Sequence, residues 1–436
     1  MVRYRESKVK NQEVKVIEVC PAHPGGDSNS PRKDLENSLR TLFYISKLFG
    51  LFPFDFCAFY RLKEFKVSII SSIWSLFFVF ITTVELHRHS WETTIYVKEN
   101  YPSLTFAVYV AIVYSEPLIM IILVVANICN QKHMISVIQH LHNIEEKLIL
   151  EGRKIHYSLL KWKIPILIFI FVGGELVLMI FYIFLDLQDE DSNSVPVIHV
   201  VITWIWLFLP LILTTLTRTW FVTLMNITEL FFIVLNDILR ATVNSLEEQN
   251  DFPARKWTKK AIFDENLGHK LIRLCHLHAE IGRISLQINR IFHLENFLSM
   301  LFNILLIVTH MFFIYLSALN QQVPPLFRST DNMGIAIFYV LFCLWKVFYI
   351  IWVASQVKRQ AQLTGSYLHQ IAVAVDEVPC YRLINRLSVQ IWQQRLEFPV
   401  RGFFVLDMST IGTYSGAILM YVVILIQFNL AGGSLE

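Results

Sequence analysis

Seven stretches of mostly apolar residues punctuate the chain, at residues 67–86, 104–128, 164–187, 197–220, 297–319, 335–353 and 403–430. A helix that crosses a hydrocarbon core of roughly 30 Å needs about 20 such residues. One apolar helix of that length could be the buried core of a large soluble protein. Seven of them in 436 residues, with 54% apolar and only 17% charged residues, are too many for a soluble interior. The pattern specifies an all-α, polytopic membrane protein of seven transmembrane helices.

The direction of threading follows from the basic residues, which are retained on the cytoplasmic side. Twelve Lys and Arg precede the first span, and the second, fourth and sixth connections carry six, nine and six. The first, third and fifth connections hold only Arg88, Lys98 and Arg328, while Arg218 and Lys346 lie within spans. The expected topology has the N-terminus in the cytoplasm and, after an odd number of crossings, the C-terminus outside the cell. That is opposite to a G-protein-coupled receptor. The net charge of +3 is small and dispersed, and gives no reason to expect nucleic acid as a partner.

The connections on the basic side are long and helical in pattern. Leu267, Leu271, Leu274, Leu277 and Ile281 recur at three- and four-residue spacing, and Leu383, Leu387, Ile391 and Leu396 repeat the behaviour before Pro399. Such stripes extend the membrane helices into the cytoplasm and bury against a partner. Residues 1–38 are polar and expected to be a disordered tail, residues 39–430 form one helical domain, and residues 431–436 resemble a cloning scar. No short apolar segment with a cleavage site precedes the first span, so no signal peptide is expected.

No phosphate loop, nucleophile elbow or zinc-helix spacing occurs, which argues against an enzyme and supplies no cofactor site. His87/His89, His140/His142 and His276/His278 are each two residues apart, place their rings on different helix faces, and read as solvated. Asn226-Ile227-Thr228 has glycosylation spacing but falls on the inner side. Three ionisable groups lie near mid-span: Glu116, Glu175 and Lys346. Each is expensive in lipid and must face either an internal partner or a wet cavity. Trp204, Trp206, Tyr339 and Trp345, with His310, could furnish stacking faces and hydrogen-bonding ends for a small molecule in the same region.

Within the last span, residues 412–428 are uncharged. Gly412 and Gly416 are spaced for close approach of another helix. Met420, Val423, Ile424 and Gln427 share one side by three- and four-residue spacing. Gln427 is either a lone amide reaching the headgroups or, in a symmetric oligomer, part of a polar ring beside a hydrophobic constriction.

The segment Tyr421-Val422-Val423-Ile424-Leu425-Ile426-Gln427-Phe428 resembles the C-terminal signature of insect gustatory receptors, in which Thr-Tyr, five apolar residues and Gln-Phe follow one another. Met420 stands where that family usually has Thr. The run Gly402-Phe403-Phe404-Val405-Leu406-Asp407 is similar to the family's lead-in to its last helix. The resemblance implies a tastant-gated, non-selective cation channel in the plasma membrane of chemosensory neurons. It implies a homotetramer, or a heteromer with related receptors, passing monovalent and divalent cations. The last helix would line the pore, with Gln427 and Phe428 at the gate and Ile424, Val423 and Met420 below, and the cytoplasmic helices would form an oligomeric anchor. The tastant would be a bitter compound or a fructose-type sugar, since sugar-sensing branches often carry Glu where Val422 stands. An odorant-receptor-like channel shares the inverted topology and is the alternative.

Overall fold

The computed structural model describes residues 32–51, 69–153, 155–188, 197–250, 258–324, 327, 333–374, 378–393 and 395–432. Its elements in chain order are α1 (Arg32–Leu48), α2 (Ile69–Asn100), α3 (Ser103–Leu150), α4 (Ser158–Gln188), α5 (Val197–Asn250), α6 (Thr258–Ala318), α7 (Met333–Ala374), α8 (Val378–Gln393), β1 (Pro399–Val400), β2 (Phe404–Val405) and α9 (Thr410–Gly432). Among the described residues, seven helices are long and apolar enough to cross a membrane: α2, α3, α4, α5, α6, α7 and α9.

Helix length separates two regions. At 1.5 Å per residue, the 54 residues of α5 and the 61 of α6 run to about 80 and 90 Å. A bilayer core accounts for roughly 30 Å of that, so each projects far beyond it. The projecting part of α6 carries the apolar stripe foreseen from spacing, and Leu267, Leu271, Leu274, Leu277 and Ile281 are all buried. Polar side chains stitch this region together. Asn236 Nδ2 donates to Gln360 O at 2.9 Å, and Thr364 Oγ1 donates to Asn236 Oδ1 at 2.8 Å. His278 is buried with Nε2 3.2 Å from Ala361 O, so this histidine is a core residue rather than a solvated one. Asn226 is also buried and accepts from Lys163 Nζ at 2.7 Å, which closes it to glycosylation in the folded chain.

α5 occupies the centre of the bundle, in contact with α3, α4, α6 and α7. Close approach of α4 to α7 depends on Gly174, where an added Cβ would come within 2.5 Å of Phe342 Cζ.

Two boundaries differ from the sequence expectation. α1 begins at Arg32, inside the segment read as tail, with residues 1–31 outside the described set. The last crossing begins at Thr410, not Phe403. Arg401 and Gly402 both have positive φ, 52° and 78°, in the three-residue loop between the paired Val400 and Phe404, and Phe403 N–H donates to Val400 O at 3.0 Å. Residues 399–405 therefore form a small hairpin, and its apolar residues pack sideways. Phe403 stacks on Phe297 with centroids 4.9 Å apart. The segment read as a scar begins inside α9, which runs to Gly432, and residues 433–436 lie outside the described set.

Candidate functional site

An apolar cavity lies inside the bundle where α3, α5, α6 and α7 converge. Its non-atom space is about 530 Å³, the mouth included. α5 contributes Trp204, Leu207, Phe208 and Leu211 at the three- and four-residue spacing that puts one helix face on a cavity. α3 contributes Glu116 beside Pro117, a proline inside the helix. Lacking an N–H, Pro117 leaves the carbonyl of Val113, another lining residue, without its usual helical donor. α6 supplies His310 and α7 supplies Tyr339.

The aromatic residues form two groups. Tyr182, Trp204 and Phe208 sit with centroids 5.0 to 5.9 Å apart, and Trp204 Nε1 donates to Asp186 Oδ2 at 3.2 Å, which fixes the indole. In the second group, His310 stacks on Tyr339 at 4.3 Å and meets Phe327 edge-on at 5.5 Å. His310 Nδ1 lies 2.8 Å from Leu306 O, an acceptor only, so Nδ1 carries the hydrogen and Nε2 is left as an acceptor. Glu116 is only 8% exposed, and its Oε1 has no hydrogen-bond partner. A second, more polar cavity shares the wall formed by Leu86, Val113, Trp204 and Leu207, and is lined by His89, Ser90, Tyr109, Asp186 and Thr203.

Of the eight residues singled out from sequence as ligand contacts, Glu116, Trp204, His310 and Tyr339 line the inner cavity, and the other four do not. Trp206 is half-buried and absent from the lining of either cavity. Trp345 belongs to a separate aromatic stack with Phe171, at 5.0 Å, and Tyr349, at 5.5 Å. Glu175 and Lys346 face each other, Nζ to Oε1 at 2.6 Å, with the ammonium 4.8 Å from the centre of the Phe342 ring. Sequence reading missed Tyr182, Phe208 and Phe327. The 204/208 spacing was a signal for Phe208, whereas Phe327 lies between helices and nothing in its neighbourhood marked it.

α9 is the least enclosed of the seven helices, with 17% of its spanning window buried against 61% in α6. Its inward face is Tyr414, Ile418 and Val422, and Tyr414 Oη donates to Met300 O at 3.3 Å. On the far side Gly412, Gly416, Met420, Val423 and Gln427 form an exposed row, and no atom comes within 4 Å of a Cβ placed on either glycine. Consecutive helical residues lie about 100° apart, so Ile424, half-buried, and Phe428, 62% exposed, stand at the flank of this row.

The foot of α9 is tied to the long helices. Lys358 of α7 donates to Asp407 Oδ2 at 2.7 Å, and this holds the Asp407 carboxyl below the usual carboxylate range. Asn289 of α6 donates to Pro399 O at 2.9 Å.

A family profile described as 7tm Chemosensory receptor matches residues 39–432. The chain is 31% identical over 201 residues to the gustatory receptor for bitter taste 66a of Drosophila melanogaster, covering 44% of this chain and 38% of that one. It is 22% identical over 180 residues to putative gustatory receptor 28a of the same species, covering 41% and 39%. The aligned stretch thus spans about two fifths of these relatives. In fold, it is similar to the insect olfactory receptor OR5 from Machilis hrabei, with a TM-score of 0.62 at 14% identity over 92% of this chain and 100% of that one. The same receptor solved in complex with eugenol gives a TM-score of 0.61.

Proposed function

The chain belongs to the 7tm chemosensory receptor family of insect gustatory and odorant receptors, a membrane receptor family, and from that premise we propose that it is a tastant-gated, non-selective cation channel. The reading rests on one observation above all. α9 is uncharged, long enough for a single crossing, and leaves the row Gly412, Gly416, Met420, Val423 and Gln427 exposed among the described residues. An exposed row that begins with two glycines, continues apolar and ends in an amide suits symmetry mates around a water path.

In this proposal four copies, identical or mixed with related receptors, place α9 at the axis, and the projecting parts of α5, α6 and α7 form the shared anchor. The N-terminus lies in the cytoplasm of a chemosensory neuron and the C-terminus outside, as the distribution of basic residues favours. Binding in the inner cavity shifts the channel toward an open state through higher affinity for that state.

The lining favours a bitter compound over a sugar. Nine of its fourteen residues have no hydrogen-bonding side-chain atom. A sugar would bury several hydroxyls there without partners, at about 1–3 kcal/mol each. An olfactory reading has the fold likeness to OR5 in its favour, whereas the Tyr421-to-Phe428 signature and the gustatory relatives favour taste.

Expression in oocytes with recording of cation current against plant alkaloids and sugars tests the proposal. Ligand-evoked, non-selective current is the expected result. Particle images of a lone seven-helix bundle, with no current, would end it.

A further inference from the structure

The ionisable groups of the bundle core do not balance. Glu116, Glu175, Arg218, Glu295 and Lys346 are each less than one tenth exposed, and they act electrostatically on one another through Glu175, Arg218 and Lys346. Lys346 is bonded to Glu175 at 2.6 Å. Arg218 donates to Ser299 Oγ and feels Glu295 most strongly among the acids, but its Nε and Nη1 and the Glu295 Oε1 have no hydrogen-bond partner. Two cations thus stand against three carboxylates. The other deeply buried acid among the described residues, Glu145, stands 29 residues further along α3, about 43 Å away, and is met by His142 at 3.3 Å.

Glu116 is also the one carboxylate of the core set that lines the cavity, and its Oε1 has no partner there. An isolated carboxylate removed from water is strongly unfavourable unless a charge or a proton answers it. The same cavity is lined by the Tyr182, Trp204 and Phe208 group, the kind of π surface that attracts a cation. The remaining lining argues against a bare metal cation, because only Glu116, Tyr182 and Tyr339 bring side-chain oxygens, whereas hard cations take about six oxygen ligands.

We propose that the ligand of the inner cavity is an organic ammonium ion on an aromatic or aliphatic ring skeleton, its charge held by Glu116 and its body by the aromatic walls. This rests on the reading of the cavity as the tastant site. The ammonium supplies the positive charge the core lacks, so its affinity is dominated by one ion pair in a water-poor enclosure, and its skeleton fills the apolar remainder.

The test uses the purified full-length protein in lipid nanodiscs at neutral pH. Thermal stabilisation is measured for two matched pairs, 2-phenylethylamine with 2-phenylethanol and cyclohexylamine with cyclohexanol. Each amine should act at a concentration at least tenfold lower than its alcohol. Glu116→Gln should abolish that difference, and Glu116→Asp should restore most of it. Alcohols equal to amines on the unmodified protein, no stabilisation by either amine, or a preference that survives Glu116→Gln would each overturn the proposal. The comparison on the unmodified protein stands even where a variant fails to fold. Amine-selective binding without any evoked current would remove the channel reading and leave this inference intact. Current evoked equally by amines and alcohols would do the reverse.

Discussion

Lys346 Nζ sits 2.6 Å from Glu175 Oε1, and both side chains are almost wholly out of reach of solvent. A buried pair of this kind contributes little net stability against an apolar replacement, yet breaking it is costly, because one unpaired charge stays behind. Lys346→Met is therefore expected to destabilise by about 3–5 kcal/mol, and to reduce surface expression. Lys346→Met combined with Glu175→Leu should recover most of the loss. Thermal unfolding of the single and double variants in detergent measures it, and a double variant no better than the single would show that the pair is not the cause.

Gly174 directly precedes Glu175 on α4 and lies against Phe342 of α7. An added Cβ would lie 2.5 Å from Phe342 Cζ, and that ring is held against the Lys346 ammonium and alongside Trp345, 6.2 Å away. Gly174→Ala should cost about 1–3 kcal/mol by overpacking. Phe342→Leu added to it should relieve the clash. Additive losses in the double variant would mean that the two positions do not share a contact.

The seven crossings were legible because lipid demands long apolar runs, and the stripe from Leu267 to Ile281 was legible from its period. Glu116, Trp204, His310 and Tyr339 could be found as polar or aromatic groups at mid-span. Their company could not. Lys346 and Glu175 are 171 positions apart, and no local pattern says which helices bring two such residues together. Trp345 and Trp206 look like Trp204 in sequence. The rotation of each helix decides which indole meets the cavity, and that rotation is set by packing. The run after Gly402 was misread as membrane helix because its composition is apolar, although the Arg401-Gly402 turn was there to be seen.

Asp407 carries a pH dependence whose sign is fixed by its partner. Lys358 depresses the folded-state pKa of this carboxyl. The pair's contribution is then fully present above the ordinary carboxylate value of about 3.9, and is lost as pH falls through the depressed value. Thermal stability should hardly move between neutrality and pH 5 on this account and should decline below about pH 4. In Lys358→Met the acid-side decline should be smaller relative to that variant's own neutral value. An unchanged profile in the variant would separate Asp407 from the effect.

The two residues assigned to the gate make distinguishable predictions, because a step of one residue turns about 100° round the helix. Gln427 ends the row that begins at Gly412, so with that row at the axis its amides ring the water path. Gln427→Leu should lower single-channel conductance severalfold, since an apolar ring favours dewetting, and should leave the ligand concentration for half-activation nearly unchanged. Phe428, at the flank and 62% exposed, would in the proposed assembly wedge between neighbouring last helices. Removing the ring in Phe428→Ala should loosen the closed arrangement, raising current without ligand while conductance stays near normal. Single-channel recording reads both quantities from the same patches. If Phe428→Ala alters conductance and Gln427→Leu alters only the resting current, the helix is rotated from the orientation argued here, and a different row faces the pore.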